Sequence, residues 1–489
     1  MVYAAPVWKV YLRTNVESRG AEIRDVIVPE FYGHVKRLIN HPEASWILDD
    51  IYRGVASSQQ KAILLREWYG PEFAIFKTAD PSKATAELSS ILKESPEKRK
   101  PIMEHLKHLI NQLIQKKMTG FTMLHDAMLQ YFLNTTPGTE EASSFLEIIT
   151  PTPASNKEQK EEADNEPEID LLKNLAFTSS GSRVVCLALT YSSAKERKQI
   201  IRAYKDTIEA LAFDPNGHRV LLTAYDVFDD TRQLSTSIFN ELIGKDASEA
   251  QQQKVLELAS HGTGRLAILY PFAGTAKWLL PDTELVRIEE VHKIRETTSK
   301  KEPETRRLEL VKSLSSACLD TIASQAESLL QSSFGCQFIS EVLLGSEGDK
   351  SQALASVAEA AAGDPKEEGH VAQSPFGGRM IKTLVLGGRF DPKTKKVTLV
   401  QPPLDFHNIF YGRVKDHVVD WACTASSLVV VNMLEAEGFS HKDDLLKQLK
   451  KGKKSLSQAA SEAGADANGK KQKKKAPGNV GAKMLLEKL

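Results

Sequence analysis

The chain has 489 residues, 41% hydrophobic and 7% aromatic, and its 64 Lys and Arg balance 64 Asp and Glu. That length allows about three ordinary domains, while few aromatics and no sustained alternation argue against an all-β protein. Cys186, Cys318, Cys336 and Cys423 show no CxxC or Cys/His spacing, which excludes a zinc ribbon and fits free thiols in a reducing compartment.

No apolar run approaches the roughly 18 residues of a membrane span. The opening MVYAAPVWKVYL lacks the basic, apolar and small-residue order of a signal peptide. A cytosolic or nuclear protein is expected. In FYGHVKRLINHPEASWILDDIYRGV, from Phe31, the apolar positions Val35, Leu38 and Ile39 predict a helix. His41-Pro42 interrupts it, and Pro42 suits the start of a second helix running from Glu43 to Gly54. Gln59 to Trp68 predicts another, with Trp68, Tyr69 and Phe73 stapling the junction. A further pair spans Lys100 to Phe132, where Met103, Leu106, Leu109, Ile110, Leu113 and Ile114 make one stripe.

Residues 1–136 therefore read as an N-terminal block of helical repeats. Residues 137–169 are proline-rich and acidic, the composition of a flexible linker, with only Phe145 to Ile149 able to dock. Helix pairs resume over 170–446, broken by a charged insertion at Leu280–Thr305 and an alanine-rich acidic one at Gly345–Gly369. Residues 447–489 read as a basic disordered tail ending in the apolar Met484, Leu485, Leu486 and Leu489.

One unit recurs imperfectly: a small-residue turn, a polar or basic pair, then an apolar run. It appears as GSRVVCLAL from Gly181, GHRVLLTAY from Gly217, GRLAILY from Gly264 and GGRMIKTLV from Gly377. Gly181 and Gly217 lie 36 residues apart (217 − 181), enough for two helices and short connections. The pattern predicts an all-α solenoid of about eight repeats, an architecture used for binding more than for catalysis. At 100° per residue, Val220, Leu221, Ala224, Tyr225 and Phe228 form one apolar stripe, with His218, Arg219 and Leu222 on another face. Stacking would align Arg183, Arg219, Arg265 and Arg379 along one surface, a line of guanidiniums suited to phosphates and stacked bases.

HPEASWILDDIYRGV, REWYGPEF, LLKNLAFTSSGSRVVCLAL, DPNGHRVLLTAYDVFDDT and GNVGAKMLLEKL resemble the Penguin, or Puf-A-like, subfamily of Pumilio-homology (PUF) proteins. The resemblance covers about Phe31 to Leu489 and implies an L-shaped PUF-repeat solenoid in the nucleolus. It also implies RNA binding and a role in large (60S) subunit biogenesis and ribosomal RNA processing. A fungal branch adds messenger binding and translational repression. Further repeats and a lysine-rich extension are expected before Phe31, and Met1 to Val28 matches neither, so the resemblance is to a family member lacking its N-terminal part.

Ordinary PUF repeats read one base with two or three side chains of the second helix. The frame carries onto Ser45, Trp46 and Asp49; Phe121, Thr122 and His125; Ser182, Arg183 and Cys186; and His218, Arg219 and Leu222. It continues at Arg265, Leu266 and Leu269; Cys336, Gln337 and Ser340; and Gly378, Arg379 and Lys382, with a weaker unit near Ser427. Leu222, Leu266 and Leu269 cannot hydrogen-bond and Gly378 has no side chain, so the expected mode is backbone- and shape-driven binding.

Arg183, Arg219, Arg265 and Arg379, supported by Lys382, are candidate phosphate contacts. Ser182 and Gln337 are candidates for base hydrogen bonds, with His218 and Ser45 in the same frame and Trp46 as a stacking residue. Lys470, Lys471, Lys473, Lys474 and Lys475 read as nuclear targeting or an arm on ribosomal RNA, against a plain solubility tail. No metal, cofactor, membrane or catalytic constellation is indicated, and the expected state is a monomer with RNA and pre-ribosomal proteins as partners. The competing reading is a helical-repeat scaffold for proteins, with incidental RNA contact.

Overall fold

The structure, a computed structural model, describes residues 20–70, 73, 85–151, 167–391, 394, 396–461 and 478–489. Apart from one hairpin, the described secondary structure is helical, arranged as stacked pairs in a solenoid. The chain forms two compact units. One comprises residues 1–229 with 287–300, the other residues 230–286 with 301–489.

The first unit runs α1 (Gly20–Ile27), α2 (Val35–Ile39), α3 (Ala44–Gly54), α4 (Ser58–Arg66), α5 (Leu88–Glu94), α6 (Arg99–Gln115), α7 (Thr122–Leu133) and α8 (Glu140–Ile149). It continues with α9 (Pro167–Ala176), α10 (Ser179–Tyr191), α11 (Ala194–Ala203), α12 (Ile208–Phe213) and α13 (His218–Val227). The outer helices α2, α6, α9 and α12 each pack on an inner partner, α3, α7, α10 and α13, and the four inner helices stack in chain order.

The second unit contains α14 (Thr231–Leu242), α15 (Glu249–Ser260) and α16 (Gly264–Ala273). Next come α17 (Asp282–Thr298), whose residues from 287 onward belong to the first unit, then α18 (Pro303–Leu330), α19 (Ser333–Gly345), α20 (Ser351–Ala360) and α21 (Pro375–Leu386). The antiparallel hairpin β1 (Gly388–Asp391) and β2 (Lys396–Leu399) precedes α22 (Phe406–Val414), α23 (Val418–Cys423) and α24 (Leu428–Glu435). The chain closes with α25 (Lys442–Lys451), α26 (Lys453–Ser461) and α27 (Val480–Lys488). Here α16, α19, α21, α24 and α27 stack in order as the inner row.

Most inner helices begin with the same device. A polar side chain accepts the backbone N–H three residues on, satisfying a donor that the helix start leaves without a partner. Thr178 takes the amide of Gly181 at 3.1 Å, Asp214 that of Gly217 at 2.8 Å, Ser332 that of Gly335 at 2.9 Å and Ser374 that of Gly377 at 3.3 Å. His261 and His41 do the same through Nδ1, to Gly264 at 3.0 Å and Ala44 at 3.2 Å. The glycine lies where the inner helix crosses the end of its outer partner. A Cβ there would meet Leu175, Leu211, Leu329 or Val371, in each case six residues back.

The opposite ends in the first unit are held by Arg197, which is almost completely buried. Its guanidinium donates to the carbonyls of Leu189 at 2.8 Å, Thr190 at 3.0 Å and Val227 at 2.6 Å. One cation thereby answers the exposed carbonyl ends of α10 and α13.

Several expectations are corrected. Within the stretch read as a linker, Glu140–Ile149 is helical, and Phe145 packs on Tyr131 and Phe132 with ring centroids 5.0 and 5.1 Å apart. The insertion at Leu280–Thr305 is largely α17 and the start of α18. The interruption at Gly345–Gly369 contains α20, whose Ala353, Leu354, Val357 and Ala358 are buried against α18 and α22.

The stretch from 447 onward is not a disordered tail throughout. It holds the end of α25, all of α26 and α27, and Asn479 anchors α27 by bonding Ser427 at 2.6 Å and the Thr424 carbonyl at 2.7 Å.

Candidate nucleic-acid interface

Counting from the start-site glycines places equivalent side chains on successive inner helices. Two residues after the capped glycines Gly181, Gly217, Gly264, Gly335 and Gly377 stand Arg183, Arg219, the buried Leu266, Gln337 and Arg379. On the last inner helix Lys483 follows the Asn479-capped Ala482 by one residue. Arg379 and Lys483 are exposed, and Arg183, Arg219 and Gln337 are half-buried, as is Lys382 one turn beyond Arg379. Three of the five positions after the capped glycines are cationic, Arg183 and Arg219 in the first unit and Arg379 in the second, and each suits an anionic group.

The position before the glycine was not singled out in the sequence, yet in the second unit it carries Phe334 and Phe376. Phe334 is half-buried and Phe376 is exposed. The signal was available as a repeated Ser-x-Phe-Gly, SSFG at 332–335 and SPFG at 374–377, in which the serine caps the helix and the glycine allows the crossing. The Arg265 guanidinium lies 4.3 Å from the centre of the Phe334 ring, donates to the Gln337 amide oxygen at 3.0 Å and to the Gly262 carbonyl at 3.2 Å. Burial lowers its pKa, and the cation–π contact offsets part of that desolvation.

The other arginines occupy different settings. Arg183 is paired with Glu290, its Nη2 3.3 and 3.2 Å from the two carboxylate oxygens. Arg219 donates to the Asn216 side chain at 2.7 Å, within its own turn. The sequence places the four in one line; the structure gives Arg183, Arg219 and Arg265 each a different neighbour.

Several proposed base-readers face inward. Ser182 is fully buried with its hydroxyl on the Ser179 carbonyl at 3.2 Å, and Ser45 is fully buried on that of Pro42 at 3.3 Å. His218 is buried, its Nδ1 3.0 Å from the Asp214 carbonyl oxygen. These three cannot present a polar edge outward, because each inner helix is packed by its outer partner and by the inner helices stacked on it. Leu222, Leu266 and Leu269 are buried for the same reason, so the second face predicted for α13 is largely core.

His125 is held between the Thr119 carbonyl at 2.8 Å and the Thr178 hydroxyl at 2.9 Å, and burial drops its pKa to about 4. Cys186 and Cys336 are buried, and the Cys336 thiol is pushed up to about 12 by desolvation. Trp46 is the contrast: 61% exposed, with one edge on Phe121 at 4.9 Å, its ring is open to stacking.

The lysines at 470–475 lie outside the described residues. Lys450, Lys451, Lys453 and Lys454 are exposed on and between α25 and α26. Asp364, His417 and Asp420 bring three potential metal-ligand atoms within 4.8 Å of one another, and the Lys366 ammonium already sits 2.7 Å from Asp420.

The CPL (NUC119) domain matches residues 261–396. Among curated relatives, the chain is 29% identical to Pumilio homology domain family member 6 of Schizosaccharomyces pombe, covering 86% of this chain and 61% of that protein. It is 27% identical to human Pumilio homolog 3, covering 78% and 54%. The chain thus spans somewhat over half the length of these relatives. Its fold matches the crystal structure of human Puf-A with a TM-score of 0.73 at 24% identity, over 95% of this chain and 80% of that one. The structure of human Puf-A in complex with DNA gives 0.72 at 23%, over the same shares. Over most of its length the chain is thus similar to Pumilio-homology proteins, and its fold is the one seen in human Puf-A.

Proposed function

We propose that the chain binds RNA, chiefly through phosphates, along the exposed first-turn residues of its inner helices. The observation that carries this reading is the shared register of Gln337 and Arg379 in the second unit, with Lys382 one turn on, Phe334 and Phe376 beside them, and the exposed Lys483 on the last inner helix. Cations spaced along stacked helices release counterions from a polyanion, and aromatic faces stack on bases of any identity. Burial of Ser45, Ser182, His218 and the three leucines removes the polar edges that base reading needs, so sequence preference is weak. A Puf-A structure that shares this fold was determined with DNA, which supports a nucleic-acid partner.

The finer reading rests on the family resemblance. We place the protein in the nucleus and nucleolus, acting on precursors of the large ribosomal subunit beside pre-ribosomal proteins. Messenger binding and translational repression are a further role by the same resemblance. Lys470, Lys471, Lys473, Lys474 and Lys475 fit both nuclear targeting and added phosphate contact.

Fluorescence anisotropy with unrelated single-stranded and duplex RNAs across a salt series tests the reading. Similar affinities with a steep salt slope are expected. Replacing Arg379 and Lys382 together by Gln lowers affinity about three- to thirtyfold and the slope by about one to two. Sharp preference for one short sequence would overturn the backbone-driven mode, and salt-independent capture of a protein partner without RNA binding would favour the scaffold reading.

A further inference from the structure

Arg183 stands in register with Arg379 of the second unit, and its guanidinium meets a carboxylate. Its partner comes from the segment 287–300, which crosses α10 and α13. Glu290 takes Arg183 in the first turn of α10. Farther along the segment, Arg295 donates to the Asp226 carboxylate at 2.9 Å and His292 Nε2 lies 3.1 Å from it. Thr298 receives the Arg197 guanidinium at 3.1 Å, and Asp229 accepts the amide of Lys300 at 3.0 Å and the hydroxyl of Ser299. Ile288 and Val291 are buried, while the Arg183–Glu290 pair stays about one-third exposed on each side.

The anchoring is uneven. Two carboxylates, a buried guanidinium and two apolar side chains fix the segment, and Glu290 alone reaches the cation of the RNA-facing register. Rotating the Glu290 side chain would release Arg183 with Asp226, Asp229 and Arg197 still engaged. A carboxylate with both oxygens on one guanidinium nitrogen presents the charge and the acceptors that a phosphodiester would.

We propose that Glu290 is a phosphate stand-in that occupies the Arg183 position of the interface and is exchanged for an RNA phosphate when nucleic acid binds. This rests on the RNA-binding reading above and names its regulation: Arg183 takes up a phosphate contact only by displacing its own acid. Because the pair is partly solvated, salt weakens it along with the RNA contacts. The exchange is therefore a modest threshold and not a block.

The test uses the full chain and an unstructured single-stranded RNA of about 20 nucleotides, a length beyond one module's footprint. Glu290→Gln keeps the shape and removes the charge. It is expected to raise affinity about three- to tenfold at low salt and to steepen the salt slope by about 0.7, one phosphate's worth on a single strand. Glu289→Gln, the same charge change at an exposed neighbour, should move affinity less than about twofold.

In an Arg183→Gln background the gain from Glu290→Gln should vanish. Equal gains from both glutamates, or a gain that survives loss of Arg183, would overturn the proposal while leaving RNA binding intact. If neither the native chain nor Glu290→Gln binds RNA, the functional reading falls and this inference with it.

Discussion

Asp49 lies on α3, almost fully buried, and accepts the amides of Thr122 at 2.8 Å and Met123 at 3.4 Å, so it caps the inner helix of the next repeat. Burial pushes its pKa up to about 6, and the two amides and Arg53 only partly oppose that. A carboxyl whose folded pKa exceeds its unfolded value contributes stability that is complete below the unfolded pKa, near 4, and is lost as pH rises through 6. At pH 7 the residue therefore carries an uncompensated desolvation cost, and Asn would keep the acceptor without the charge. Asp49→Asn is expected to gain about 1–3 kcal/mol at pH 7–8 and nothing near pH 4, read from denaturant melts across that range. A loss at pH 7 would mean that the charge itself is needed at the start of α7. At this scale the sequence located positions better than exposures. The frame identified Asp49, Ser182 and His218, but whether a residue of an inner helix faces solvent depends on neighbours from other helices, which no local period encodes.

The inner helix is the repeating element, and its start is legible because the constraint is local: a capping side chain, two residues, then a glycine. Gly335 tests it. A Cβ there would fall on the carbonyl oxygen of Leu329, a backbone atom that cannot swing aside, whereas one at Gly412 on α22 would meet nothing within 4 Å. Gly335→Ala is expected to destabilise by about 1–3 kcal/mol, and Gly412→Ala to stabilise by about 0.5–1 kcal/mol through helix propensity. Equal effects in thermal melts would show that close crossing does not govern the motif. The elements that escaped the sequence are those held by few or small apolar groups. In α20 the buried side is two alanines, a leucine and a valine, and around Glu290 the buried apolar residues of α17 are Ile288 and Val291. In α8 a proline-rich acidic setting hides the helix around Phe145 to Ile149, the stretch that the sequence offers as able to dock. The hairpin was missed because its strands are four residues each, with Phe390 and Leu399 exposed, so neither burial nor length supplies a signal.

At the scale of the molecule, a stack of repeats has stability that is nearly a sum of each pair and its interfaces with immediate neighbours. The last pair of the second unit, α26 and α27, closes the row: α27 packs on α24, and α26 on α23. Leu485 and Leu456 are fully buried there, so what reads in the sequence as an appended apolar motif completes the final layer. Truncating Leu485 to Ala removes about 2–4 kcal/mol from that layer. Trp421, fully buried on α23, is one helix away, while Trp278, following α16, lies at the other end of the row. With each tryptophan kept in turn as the reporter within the second unit, Leu485→Ala is expected to lower the denaturation midpoint seen at Trp421 and to leave that at Trp278 nearly unchanged. Nearest-neighbour coupling requires this decay with distance. Equal shifts at both would mean that the second unit melts as one cooperative body, and its repeats would then be bound by more than the interfaces between adjacent layers.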